Sequence, residues 1–516
     1  MYIASDCERI HIPFDDFDLE IGNSNTVLSS FQYSEAKARL TLRETELWML
    51  GALALREKCS PRKQQVVETS ALVLAQINRY KIALAPWKLL PPELMQIIFN
   101  YTQRSPLVLF PPQGEQSPVL LCLVCKAWRE LAMSTPELWS SVNVRLFSCH
   151  SMSVLKRQRQ IESLFVVLRN WFTKAKGIPL NLKLTQGLGE WETQFIKSAI
   201  VPFLPRLQNL KLLVLENTFN ELFRLPPGSM DSIVCLTVRA DLTVPSRTDR
   251  DQRDSLNPFG SSPRLTELDV TLNSHSIIDP QFIAFPWENL KSLRIGNNMY
   301  LETFMEVAQR CKNLEEIDAI IVCRGGSCSF DTVNLPNLHT MSLSIVRVIS
   351  FRPLDFPLYA PRLRVLNLSG NVEGLFNTKV AYQALLLRFG CKIESFAYGP
   401  IRSSPVLDGE IIIEATPSLK SLRLPRRYTL SPQFLSKMKD GEVGQSMERL
   451  YFNDIADISP ILDFLEMQMS KVYPDPTSKI KYVELDSREV RYMQFSARIE
   501  ALKRGGILIA NPDIEQ

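Results

Sequence analysis

Leu338-His-Thr-Met-Ser-Leu343, Leu363-Arg-Val-Leu-Asn-Leu368 and Leu419-Lys-Ser-Leu-Arg-Leu424 carry one template, with apolar side chains at the first, fourth and sixth positions. The template extends toward the N-terminus through Leu314/Ile317/Ala319, Leu290/Leu293/Ile295, Leu265/Leu268/Val270, Ile233/Leu236/Val238 and Leu207/Leu210/Leu212. Ile393/Phe396/Tyr398 falls between the second and third of these copies, and Met447/Leu450/Phe452 and Ile480/Val483/Leu485 come after the third. Ten steps from Leu207 to Ile480 give a mean period of about 27 residues. Positions four and six lie two apart, so they share one face of a strand. A unit this short cannot bury that face alone, and stacked copies generate one continuous core. Ser262-Pro-Arg, Leu335-Pro-Asn, Ala360-Pro-Arg and Thr416-Pro-Ser precede strands as turns. Unequal steps, as from 207 to 233 to 265, place loops on the returning side, and Arg247 to Ser262 is one of these.

The expected fold class is therefore α/β, with short parallel strands and intervening helices over residues 178–510, entered through the alternating run Leu180-Asn-Leu-Lys-Leu184. Residues on either side of the central apolar position point away from the core, toward the inner, concave face of such a stack. Among them Glu267, Asp269, Arg294, Glu316, Asp318, Arg423 and Tyr451 form a varied polar surface, the kind that recognises a folded protein or peptide.

Upstream the pattern changes to helices. Residues 1–33 read as a poorly ordered lead-in, acidic around Asp15, Asp16, Asp18 and Glu20. From Ser34 the chain has no Gly or Pro until Gly51, with Leu40, Leu47, Leu50 and Ala54 at helical spacing. Ser60-Pro61 begins a second helix, and Val67, Ala71, Leu74, Ile77, Lys81 and Leu84 are its expected stripe. Residues 34–85 thus read as a helical hairpin or short coiled coil, for which packing on the next domain is favoured over a dedicated dimerisation device. Residues 86–145 are dense in Pro, Leu and Trp and read as three short elements: a helix opening at Leu90-Pro-Pro-Glu-Leu94, a second from about Val119 to Ala132, and a last turn from Pro136 carrying Leu138 and Trp139. So small a module cannot bury so many large apolar side chains alone, which implies a partner. Arg145 to Lys176 reads as a basic linking helix, 146–177, with Ile161, Leu164, Phe165 and Leu168 on its apolar side.

The ordered combination Leu90-Pro-Pro-Glu-Leu94, Ile97-Ile-Phe99, Val124-Cys-Lys-Ala-Trp-Arg129 and Pro136-Glu-Leu-Trp139 resembles an F-box, in the version common in mushroom-forming fungi, with a proline-rich insert, Thr102 to Ser117, between the first two helices. The resemblance implies a module that docks on the adaptor Skp1 of a cullin-RING ubiquitin ligase, with Leu90, Pro91, Leu94, Ile97, Leu120, Val124, Cys125 and Trp128 at or near the contact. The downstream period is that of leucine-rich repeats, and an F-box followed by such repeats is similar to substrate receptors whose solenoid holds the target. The resemblance thus implies an adaptor that catalyses nothing itself; a scaffold without ubiquitin transfer is the alternative.

Composition fits this reading without naming a ligand. The 516 residues are 45% apolar and 22% charged, with a net charge of +4 and a mean hydropathy of −0.04, so a packed core is expected and no polyanionic partner is called for. The ten scattered cysteines suit a reducing compartment, and the N-terminus shows no secretory pattern. The longest apolar stretch, Leu47 to Leu55, is far short of the ~20 residues of a membrane span. The expected location is cytoplasmic or nuclear. Gly187-Leu-Gly-Glu-Trp-Glu192 lacks the third glycine of a dinucleotide loop, and His11, His150, His275 and His339 are isolated. Cys122-Leu-Val-Cys125 has no second pair to complete a zinc site, Cys323 and Cys328 being too distant to claim, and it reads as packing on a helix. The basic residues of 145–176 read as a solvated helix face rather than a phosphate grip. No cofactor or metal is expected.

Overall fold

The computed structural model describes residues 16–21, 28–58, 60–102, 108–110, 118–146, 154–186, 200–223, 225–241, 262–272, 285–322, 331–347, 357–370, 379–400, 409–426, 428, 430–453, 458–470, 480–486 and 492–510. Outside them lie most of the lead-in and of the insert, Gly187 to Glu192, Cys323 and Cys328, most of Arg247 to Ser262, and His11, His150 and His275. The chain divides into two compact units, residues 1–143 with 166–178, and residues 144–165 with 179–516.

In the first unit, helices Ser30–Arg56 and Ser60–Ala83 form the hairpin. The first helix starts four residues before the position expected. Ser29 Oγ accepts from Gln32 N at 3.3 Å while Gln32 Oε1 accepts from Ser29 N at 3.0 Å, a reciprocal capping box written in the sequence as Ser29-Ser-Phe-Gln32. Of the expected stripe of the second helix Ile77 is buried, but the other buried positions are displaced by one residue: Val66, Val73 and Tyr80 are buried, whereas Val67, Leu74 and Lys81 are exposed. This helix is apolar on more than one side, so periodicity alone could not choose between Val66/Val73 and Val67/Leu74.

Part of the lead-in has regular structure that its composition did not suggest. Asp16–Glu20 is a helical turn, and Asp18 is only 2% exposed. Its carboxylate accepts from Arg43 Nη2 at 2.7 Å and from the Tyr80 hydroxyl, and lies 3.7 Å from Arg39 Nη1; its carbonyl accepts from Gln76. A buried charge is tolerable only with such partners. Burial first, and the Asp18 carboxylate second, push the Tyr80 phenol well above its ordinary pKa.

The second unit is built on a parallel sheet whose strands follow one another in chain order from Leu180–Gln186 to Leu508–Ala510. The template's fourth positions lie in one unbroken register: Leu210 pairs with Leu236, then Leu268, Leu293, Ile317, Met341, Leu366, Phe396, Leu422, Leu450 and Val483. Two further units extend the row, Leu182 before Leu210 and Ile509 after Val483. Every first, fourth and sixth position of the template from Leu207 to Leu485 is buried. Strand entry has a recurring device. Leu265 N donates to Ser262 O, Leu363 N to Ala360 O, and Leu419 N to Thr416 O, at 3.3, 3.0 and 3.1 Å. In each case Pro occupies the second position of the turn, where its fixed φ is already correct. Helices including Leu301–Arg310, Lys379–Phe389, Pro432–Lys439, Ser459–Ser470 and Tyr492–Arg504 occupy the intervals between strands.

Two expectations for the connecting segments are corrected. Arg145 lies in a strand, Ser141–Leu146, not in the linking helix, which spans Val154–Lys174. The proline-rich insert contains a strand, Val108–Phe110.

Candidate functional site

Residues 86–139 of the first unit build a small module from three helices, Pro92–Thr102, Pro118–Val124 and Lys126–Ser134, and two 3-10 turns, Pro86–Leu89 and Pro136–Trp139. The continuous helix expected over 119–132 is therefore broken in two. The break falls at Cys125, whose backbone is extended and whose Sγ accepts from Trp128 N at 3.5 Å, so this cysteine is the N-cap of the following helix. Arg129 Nε donates to Cys122 O at 2.8 Å across the break, which satisfies a carbonyl at the end of the preceding helix.

The interior of the module comes from one side of each helix. Met95, Phe99, Cys122, Ala132, Leu138 and Trp139 are buried. Trp139 Nε1 donates to Ala132 O at 2.7 Å; its ring meets Trp171 at 4.6 Å between centroids and lies 4.1 Å from Lys174 Nζ. Lys174, expected on a solvated basic face, is thus a packing partner of Trp139. Trp128 sits between Trp87 and Phe99, with centroid distances of 5.4 and 5.0 Å. Its Nε1 is buried without a hydrogen-bond acceptor among the described residues. Desolvation pushes the Cys122 thiol above its ordinary pKa, the character of a packed cysteine rather than a ligand or nucleophile.

The opposite side of the same helices is apolar and uncovered. Leu94, Ile97, Ile98 and Tyr101 recur at helical spacing along Pro92–Thr102 and are all exposed, Leu94 at 46%. Leu89 and Leu90 precede that stripe, and Val119, Leu120, Leu123 and Val124 repeat the pattern on Pro118–Val124. Large aliphatic side chains exposed in stripes along two helices are candidates for an interaction site. The residues singled out from the sequence divide accordingly: Leu90, Pro91, Leu94, Ile97, Leu120 and Val124 are exposed, while Cys125 and Trp128 are partly buried in the joints of the module.

This segment matches a family model described as F-box-like, over residues 87–145. The chain carries an F-box-like domain, the class of module found in adaptors that bind Skp1 within cullin-RING ligases. No match to a curated protein is found.

The outward positions of the sheet are the second candidate surface. Register places Asp269, Arg294 and Asp318 side by side in one row, and Glu267, Ser292 and Glu316 in another. Arg294 Nε lies 3.0 Å from Asp318 Oδ2, and Arg239 Nη2 lies 3.9 Å from Asp269 Oδ2. Farther along the same row Arg423 lies over the Tyr451 ring at 4.6 Å and 3.5 Å from Glu484, while Tyr451 meets Tyr482 at 5.4 Å. The seven sheet residues therefore fall into two groups, five at the strands of residues 267–322 and two at the strands of residues 421–453. Cys235, beside Glu267, carries no sequence signal of belonging to this surface. Its thiol is pushed up to about 12, by burial first and by the Glu267 carboxylate second.

Among the described residues no cluster of three or more His, Cys, Asp or Glu side chains is arranged to hold a metal ion, and no helix is long and apolar enough to cross a membrane.

Proposed function

We propose that the protein is a substrate-recruiting adaptor of a Skp1-cullin-RING ubiquitin ligase: the F-box-like domain docks on a Skp1-type adaptor, and the stacked strands, a leucine-rich-repeat solenoid, hold a protein target on their outward polar positions. The observation that carries the reading is the uncovered apolar side of the 87–145 module, where Leu90, Leu94, Ile97, Leu120 and Val124 are exposed in a domain of the F-box-like family. A domain of about 60 residues gains little by exposing so many large aliphatic side chains unless a partner covers them. The chain contributes no reaction of its own. Its effect is proximity, which raises the effective concentration of target lysines near the conjugating enzyme.

Copurification with co-expressed Skp1 tests the reading. The wild type binds, and Leu94→Lys with Val124→Lys loses binding while the circular dichroism spectrum is unchanged, because both side chains already face solvent. A folded wild type that fails to retain Skp1 removes the ligase assignment and leaves a repeat scaffold.

A further inference from the structure

One cation stands among the aliphatic side chains of the uncovered face. Lys88 lies in the turn Pro86–Leu89, whose backbone is pinned by Lys88 N donating to Ala85 O at 3.0 Å and Leu90 N donating to Trp87 O at 3.2 Å. Leu89 and Leu90, both exposed, follow it directly. The contact of Trp87 with Trp128 draws this turn against helix Lys126–Ser134. Cys125, which follows the exposed Val124, is near enough for its thiol to act on the ammonium. Lys88 therefore stands where the stripe of Leu89, Leu90 and Leu94 meets the stripe that ends at Val124.

The ammonium is already partly withdrawn from water. Lys88 is half-buried, and desolvation holds it below the ordinary lysine pKa. Its Nζ lies 5.8 Å from the centroid of the Trp87 ring, near the outer limit of a cation–π contact. No carboxylate among the described residues pairs with it. Neighbouring lysines are placed differently: Lys126, exposed, faces Glu130 at 3.9 Å, and Lys174 Nζ lies 4.1 Å from the centroid of the Trp139 ring. A partly buried cation with no counter-charge is costly even in the free chain. Docking that covers Leu89, Leu90 and Val124 removes more of its water, and the cost rises unless the incoming surface brings a negative charge.

We infer that Lys88 is a specificity-determining residue of the docking face, forming an ion pair with a carboxylate of the Skp1-type adaptor as the aliphatic side chains around it are covered. The inference rests on the docking reading above and adds the partner's chemistry to it: an apolar surface that carries an aspartate or glutamate where it meets the turn Pro86–Leu89. The aliphatic stripes supply contact area without fixing orientation. The charge pair sets the register of the two surfaces and disfavours an adaptor with no acid at that place, since the ammonium would then be buried alone.

Calorimetric titration of the full-length chain with purified Skp1 tests it. Lys88→Met keeps the stem and removes the charge, and should weaken binding by about 30-fold or more, the loss that follows truncation of one member of a desolvated charge pair. The thermal transition of the free chain should stay where it is or rise, because a desolvated cation has been removed. Lys88→Arg keeps the charge and should restore most of the affinity. In the wild-type complex a zero-length carbodiimide should join Lys88 Nζ to an aspartate or glutamate of Skp1, an amide located by peptide mass spectrometry. Equal binding by the wild type and Lys88→Met overturns the inference and leaves the docking reading intact, the ammonium then reaching solvent past the contact. A loss shared equally by Lys88→Met and Lys88→Arg, with no cross-link at Lys88, also overturns it and assigns the residue to packing. A folded wild type that does not bind Skp1 removes the docking reading and the ion pair together.

Discussion

Arg294 and Asp318 occupy paired positions on neighbouring parallel strands, and the guanidinium Nε lies 3.0 Å from the carboxylate. Both residues are expected from the sequence to face a target, yet each already has a partner across one strand spacing. A charged ligand arriving at this row competes with an existing ion pair. Exposed pairs of this type contribute about 0.2–1 kcal/mol, and Arg294 and Asp318 are each about half exposed. A double-mutant cycle with Arg294→Gln and Asp318→Asn, read by urea denaturation, should give a coupling below about 1 kcal/mol that shrinks in high salt. A larger, salt-insensitive coupling would mean that the row is structural rather than available.

Gly370 is a sheet position that resists replacement. Its φ of +96° lies in the region that favours glycine, it pairs with Ile345, and a Cβ there would meet the Ile345 carbonyl oxygen at 2.0 Å. Backbone cannot move aside as a flexible side chain can. Gly370→Ala should destabilise the second unit by at least about 1–3 kcal/mol, visible as a lower denaturation midpoint, whereas the same change at Gly441, also at positive φ but with open space around its Cβ position, carries only the backbone penalty.

The C-terminal helices give a pH dependence with a definite sign. Arg498 Nε and Nη2 reach Glu466 at 2.6 and 2.8 Å, and Nη2 reaches Asp463 at 2.5 Å. The hydrogen bond from Arg498 holds the Glu466 carboxyl below its ordinary pKa. A depressed folded-state pKa stabilises the fold above the unfolded value of ~4.3 and loses that contribution as pH falls through the folded one. Arg498 is 30% and Glu466 41% exposed, so solvent screening keeps the effect near the ~1 kcal/mol upper end of surface pairs. Arg498→Met should lower the urea midpoint at pH 7, and the difference from wild type should narrow as pH falls through the depressed folded-state value and Glu466 takes up its proton. An equal difference at both values would assign the loss to packing of the arginine stem.

How much of the molecule is legible in the sequence depends on the range of the interactions involved. The strand register is legible because Leu366 and its equivalents repeat a three-residue signature, and a repeated signature needs no knowledge of what lies opposite. The placement of Asp18 is not: its partners Arg39, Arg43 and Tyr80 lie 21 to 62 residues away, so an acidic lead-in looks solvated. The break at Cys125 is hidden for another reason. Val119 to Ala132 contains no Gly, and its only capping side chain is a thiol, a weak acceptor that helix-start rules pass over. Ion pairing on the sheet becomes visible only once Arg294 is set beside Asp318, since residues 24 apart carry no local sign of being neighbours.

Trp128 separates docking from folding within the F-box-like domain. The sequence places it with Leu94 and Val124 as one contact set, but the ring lies between Trp87 and Phe99, and its indole N–H is buried without an acceptor among the described residues. Its first job is to hold helix Lys126–Ser134 against helix Pro92–Thr102. Truncation to Trp128→Ala should therefore unfold the module, at a cost of roughly 3–5 kcal/mol, and lose Skp1 as a consequence. Trp128→Phe keeps an aromatic ring between the same neighbours and removes the unpaired donor, so it should retain both fold and Skp1. Leu94→Lys should do the reverse of Trp128→Ala, keeping the thermal transition of the module while releasing the adaptor. Proteolysis resistance of the 87–145 segment, measured beside copurification for all three variants, distinguishes the roles: if Trp128→Phe stays protected yet fails to bind, the tryptophan itself belongs to the docking surface.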